Sequence, residues 1–144
     1  MSAASFRDIR RITSIGSVTG TLTAIALGGA LGSIARHGMT VYFDQLLGRD
    51  FPYGVFIANI LGSAAMGVLF VLILERGLLS EVWRSILMVG FLGAFTTFST
   101  FSLQAIGLLQ EGRLFTATIY TFGSVLLSIT AAYVAMISTR TLSG

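Results

Sequence analysis

Four long windows of this chain contain no Asp, Glu, Lys or Arg: Ile12–Ala35, Phe51–Leu74, Ser85–Gln110 and Leu114–Thr139, of 24, 24, 26 and 26 residues. A helix rises about 1.5 Å per residue, so about 20 apolar residues cross a hydrocarbon core about 30 Å thick. Each window is long enough. The composition agrees: 54% of residues are hydrophobic, 10% are charged and the mean hydropathy is +0.87, where a soluble domain carries about 25% charged side chains. The fold class is therefore an all-α membrane protein with four transmembrane helices, expected at about 17–36, 53–74, 85–110 and 114–138. Together they make a membrane domain over 17–140, preceded by a polar, amphipathic tail over 1–16. The first window is the least apolar, because Thr13, Ser14, Ser17, Thr19 and Thr21 dilute its start.

Connections are short. Residues 37–50 join the first two helices, with Gly48 and Pro52 as breakers, and 75–84 join the second to the third. Only Glu111-Gly112-Arg113 separates the third from the fourth, so these two are antiparallel neighbours. Arg7, Arg10 and Arg11 before an apolar run resemble a signal peptide, but the run is a full glycine-rich span without a convincing cleavage site. Phe6, Ile9, Ile12 and Ile15 recur at helical spacing, which suits a helix lying on the membrane surface. Four spans put both termini on one side, with Arg7, Arg10, Arg11, Arg76, Arg84 and Arg140; Arg36, Arg49 and Arg113 face the other. Positive charge favours cytoplasmic termini, yet without the tail the count is three against three. Such weak bias is compatible with insertion in both orientations.

The residues exclude several kinds of chemistry. Without cysteine there is no disulfide, thiol nucleophile or thiolate metal site, and His37 is the only histidine. All nine basic residues are arginines scattered between apolar runs, so they anchor the chain at the interface and form no stripe for nucleic acid. No window holds a carboxylate, which a proton-coupled exporter needs, nor a nucleophile–base pair, which an enzyme needs.

Neutral polar groups remain. Gly28 and Gly32, and Ser63 and Gly67, are small pairs that let helices approach closely. Gly90 to Ser102 in the third helix follows two glycines with alternating hydroxyls and phenylalanines. Two readings stay open for it: local unwinding that frees carbonyls for a cation, or an ordinary helix with hydroxyls bonded back to i−4 carbonyls. Tyr120, Ser124 and Ser128 share a face of the fourth helix, as packing contacts or as a wet track. Asn59 carries an amide that needs partners in hydrocarbon.

These residues resemble the Fluc (CrcB) family of fluoride channels over nearly all of 25–137. The resemblance rests on Gly28-Gly29-Ala30-Leu31-Gly32 with Arg36, on Ala58-Asn59-Ile60-Leu61-Gly62, and on Thr96-Thr97-Phe98-Ser99-Thr100-Phe101-Ser102. It implies a dual-topology antiparallel homodimer with two fluoride pathways along its interface and a third helix broken near its middle. Backbone carbonyls of Gly93 and Thr96 from both subunits would hold a central structural Na⁺. Asn59, Phe98, Phe101, Tyr120, Ser124 and Ser128 would line the fluoride pathway, with Arg36 and Gln104 at a vestibule. The implied function is passive fluoride exit across a bacterial inner membrane, with fluoride, the lipid bilayer and a second copy of the chain as partners and no nucleic acid.

Two positions depart from the family's pattern. Gln104 stands where a glutamate is common, and Ala94 stands where a second glycine is common. The competing expectations are a small multidrug-type exporter, disfavoured by the missing carboxylate, and a non-transporting accessory subunit.

Overall fold

The computed structural model describes residues 15–142; the tail expected over 1–16 lies outside them except for Ile15 and Gly16, which belong to the first helix. Helix α1 runs Ile15–Leu47. Helix α2, Tyr53–Leu69, continues into a π-helical stretch, Phe70–Glu75. The third span begins with α3 (Glu81–Arg84), passes through a second π-helical stretch (Ser85–Leu92) and α4 (Gly93–Phe95), and ends with α5 (Phe98–Gln110). Helix α6 is Leu114–Leu142. Four segments are long and apolar enough to cross a membrane: Val18–Leu47, Tyr53–Glu75, Glu81–Gln110 and Leu114–Leu142.

The first helix does not stop at Arg36 as the hydropathy suggests but continues to Leu47. Met39, Thr40 and Phe43 remain partly buried in this extension, and packing holds it helical although it carries Asp44. Gly48, at φ +80°, ends it, adopting the left-handed conformation that other residues resist. At the other tight connection Gly112 has φ +73°. There Arg113 N–H donates to Leu108 O at 2.9 Å and Gly112 N–H to Leu109 O at 3.0 Å. This double bond is the Schellman closure, and it turns the chain straight back into α6.

Polar ties mark the two ends of the bundle. At one end the Arg113 guanidinium donates to the Asp50 carbonyl, joining the two short connections. At the other, Arg140 pairs bidentately with Glu75, its Nε 2.9 Å from Oε2, and so links α6 to the end of the second span. Trp83 is half-exposed beside Arg84, the amphipathic pairing found at a membrane–water boundary.

Between the ends the packing is close and the outside is greasy. A Cβ on Gly28 would lie 2.2 Å from Ile86 O, and one on Gly32 2.2 Å from Phe91 O. The first span therefore touches the backbone of the π-helical stretch directly. A Cβ on Gly67 would lie 2.3 Å from Ala132 O, which places the second and fourth spans equally close. Small residues permit such contacts where lipid supplies no hydrophobic drive. Leu27, Leu31, Ile34, Phe115, Phe122 and Leu126 are exposed, as a lipid-facing surface requires. Two small apolar cores remain inside, one around Val55, Phe101, Leu108, Ala117 and Tyr120, the other around Ala58, Leu92 and Phe95.

Candidate ion pathway

Between the two cores the third span leaves helical geometry. Thr96 (φ −82°, ψ 154°) and Thr97 (φ −152°, ψ 126°) are extended, and helix resumes at Phe98. β-Branched side chains tolerate extended backbone well, but the polar groups released at this depth need partners. The other helices supply them. Thr97 N–H donates to Asn59 Oδ1 at 2.9 Å, and Asn59 Nδ2 donates back to Thr97 O at 3.2 Å. Arg36 Nε donates to Ala94 O at 3.1 Å, and another guanidinium nitrogen reaches Thr100 Oγ1 at 3.4 Å. Arg36 thus bridges the segments on either side of the extended pair. Thr97 Oγ1 caps α5 by accepting from Thr100 N–H at 3.2 Å.

Some hydroxyls of the cluster bond back four residues and others do not. Thr96 Oγ1 bonds back to Leu92 O at 2.9 Å and Ser102 Oγ to Phe98 O at 2.8 Å, while Thr97 turns to the loop and the cap. Gly62 makes room for the extended pair, since a Cβ there would meet Thr96 Cγ2 at 2.4 Å.

The Gly93 and Thr96 carbonyls are among the oxygens that the interruption releases. The amide that would close the helical bond onto Gly93 O belongs to Thr97 and is diverted to Asn59. Thr96 O belongs to an extended residue beyond the end of α4. A Cβ added to Gly93 would have only Met88 O nearby, at 3.7 Å, so this side of the backbone is open. Neutral carbonyl oxygens of this kind suit a hard cation. Among the described residues no cluster of His, Cys, Asp and Glu could serve instead.

Next to the extended pair lies a groove of about 370 Å³. Asn59, Ser63 and Met66 come from the second span, Thr96, Thr97, Phe98 and Phe101 from the third, and Ser124, Ser128 and Ile129 from the fourth. The Ser124 and Ser128 hydroxyls are buried here without any hydrogen-bond partner. Elsewhere on the same helix hydroxyls bond back four residues, Thr118 to Leu114 O at 2.9 Å and Thr139 to Ala135 O at 2.7 Å. The two serines forgo that bond. Buried donors without partners are rare enough to indicate a ligand or water.

Phe98 is 77% exposed at one edge of the groove and Phe101 only 6%, their rings 5.4 Å apart and tilted by 44°. Tyr120 is set apart from its two serine companions. It is fully buried, its ring 5.2 Å from that of Phe101, and its hydroxyl donates to Gln104 Oε1 at 2.7 Å. Tyr120, Gln104 and Arg36 do not line the groove; Asn59, Phe98, Phe101, Ser124 and Ser128 do.

No charged side chain lines the groove, so its electrostatics come from dipoles. The N-terminus of α5 opens at Phe98 with backbone amides that favour an anion. The carbonyls that end α4 favour a cation. Sequence reasoning missed Ser63 as a groove residue and Gly62 as the seat of Thr96. The signal for Ser63 was available: it lies four residues after Asn59 and so on the same helical face.

Four membrane-length helices, three of which line a neutral, hydroxyl-bearing groove where the third leaves helical geometry, define a multi-pass membrane protein. Comparison with known proteins narrows the class. The family described as CrcB-like protein, Camphor Resistance (CrcB), matches residues 23–136, and the chain belongs to that family. Similar proteins include the fluoride-specific ion channel FluC of Saccharophagus degradans, 46% identical over 83% of this chain and 89% of the relative. Those of Methylococcus capsulatus and Magnetococcus marinus are each 44% identical, over 85% and 81% of this chain. The matched part makes up 54% of the former and 94% of the latter.

Proposed function

We propose that the chain is a fluoride channel, an ion channel rather than an enzyme, that lets fluoride leave the cytoplasm passively and so confers fluoride resistance. The observation that carries this reading is the pair of buried, partnerless hydroxyls of Ser124 and Ser128 in a groove edged by Phe98. Fluoride is small and strongly hydrated, so a path must replace its lost water with N–H and O–H donors. The serine hydroxyls supply such donors, and Asn59 Nδ2 has a second hydrogen beyond the one given to Thr97. The Phe98 and Phe101 ring edges are electropositive and face an anion without fixed charge. Weak neutral sites bind an ion without trapping it. For an anion leaving a negative cytoplasm, about 100 mV supplies about 2.3 kcal/mol, an expulsion of about fiftyfold at about 1.4 kcal/mol per decade.

The working unit in this reading is an antiparallel, dual-topology homodimer in the bacterial inner membrane, with one groove closed by each partner. The exposure of Phe98, and the count of three arginines against three once the N-terminal tail is set aside, support it. The extended Thr96–Thr97 pair acts as the break in the third helix. Gly93 and Thr96 carbonyls of both copies would hold a structural Na⁺ between the subunits; one chain offers two such oxygens, fewer than a hard cation takes. When bound, the ion raises the positive potential beside the grooves.

The deciding experiment is fluoride efflux from liposomes holding only this protein, followed with a fluoride electrode while valinomycin and K⁺ balance charge. Rapid fluoride release without chloride release is expected. A folded protein that releases none is not a channel by itself, and the accessory-subunit reading then takes its place.

A further inference from the structure

Resting on the channel reading, we propose that Ser63 is a further fluoride donor, placed on the second span to face the groove from the wall that carries Asn59. Three observations lead there. Ser63 lines the same groove as Ser124 and Ser128. It is partly buried and its hydroxyl makes no hydrogen bond among the described residues. Ser124, 4% exposed, aims an equally partnerless hydroxyl into the same space from α6.

Helical spacing completes the picture. Asn59 and Ser63 are four residues apart on α2, and Ser124 and Ser128 four apart on α6, so each helix presents two polar groups one turn apart. An ion stepping one turn along the groove therefore passes from donors on both walls to donors on both walls. With Asn59 committed to Thr97 through one N–H, Ser63 is the side chain of this wall with a fully unengaged donor. A serine kept here only for its small size would need no such hydroxyl, and alanine would serve as well; that is the alternative the test addresses.

The test is fluoride efflux from liposomes by wild-type protein, Ser63→Ala and Ser63→Thr, beside the fluoride-dependent rise in thermal stability of each purified protein. Ser63→Ala breaks no bond in the fold, so its melting temperature without fluoride is expected to match wild type. Its efflux is expected to fall about tenfold, equivalent to about 1.4 kcal/mol, and its stabilisation by fluoride to shrink. Ser63→Thr, which keeps the hydroxyl, is expected to stay within about threefold of wild type. Unchanged efflux in Ser63→Ala, or a loss matched by a lower melting temperature without fluoride, overturns the donor role and leaves the channel reading standing. Wild-type protein that does not conduct overturns both.

Discussion

Replacing Asn59 by leucine separates the two things its amide can do. In the structure the side chain closes a ring with the Thr97 backbone, accepting from N–H at 2.9 Å and donating to the carbonyl at 3.2 Å. Leucine fills similar volume but leaves both backbone groups without partners. An unsatisfied buried polar group costs about 1–3 kcal/mol, so the loss is expected to be about 2–6 kcal/mol. That is a large share of the about 5–15 kcal/mol typical of a whole domain. Denaturant unfolding in micelles, at fixed protein concentration and followed by the fluorescence of the single Trp83, measures it directly. Flux should fall as well, because the groove wall formed by Thr96, Thr97 and Phe98 moves with the extended pair. A loss below about 0.5 kcal/mol would refute the clamp. Lost conduction in a protein of unaltered stability would instead make Asn59 chiefly a contact for the ion.

Other substitutions probe separate parts of the argument. Phe98→Ile removes the ring edge at the groove while keeping an apolar side chain; fluoride efflux should drop sharply in protein that still folds, since Phe98 packs little within its own chain, where it is 77% exposed. Gly32→Ala places a Cβ 2.2 Å from a backbone oxygen of the third span and should abolish folded protein on size-exclusion chromatography. Gly20→Ala, with nothing within 4 Å, should be neutral or gain up to about 1 kcal/mol from helix propensity. Tyr120→Phe strips the hydroxyl that donates to Gln104 and should cost about 1 kcal/mol in the same unfolding assay.

Much of the architecture is a property of the chain alone. Four uncharged windows dictate four helices in lipid, because no other open-chain structure pairs its own backbone polar groups. Glu111-Gly112-Arg113 is too short to do anything but reverse direction, and Gly28 and Gly32 announce the contact they make. The heptapeptide from Thr96 to Ser102, with Asn59, is specific enough to identify the family. Helix ends were less legible: hydropathy stops at Arg36, whereas packing of Met39, Thr40 and Phe43 carries α1 on to Leu47. The reach of Arg36 over 58 and 64 residues to Ala94 and Thr100, and that of Asn59 over 38 to Thr97, could not be read locally. Local spacing also grouped Tyr120 with Ser124 and Ser128, because one helical face looks uniform along its length. Only the tertiary structure divides that face, turning Tyr120 to Gln104 and an aromatic cluster while leaving the serines bare in the groove. The division is physical: a hydroxyl's role depends on which neighbours it meets, and neighbours are assigned by how helices cross.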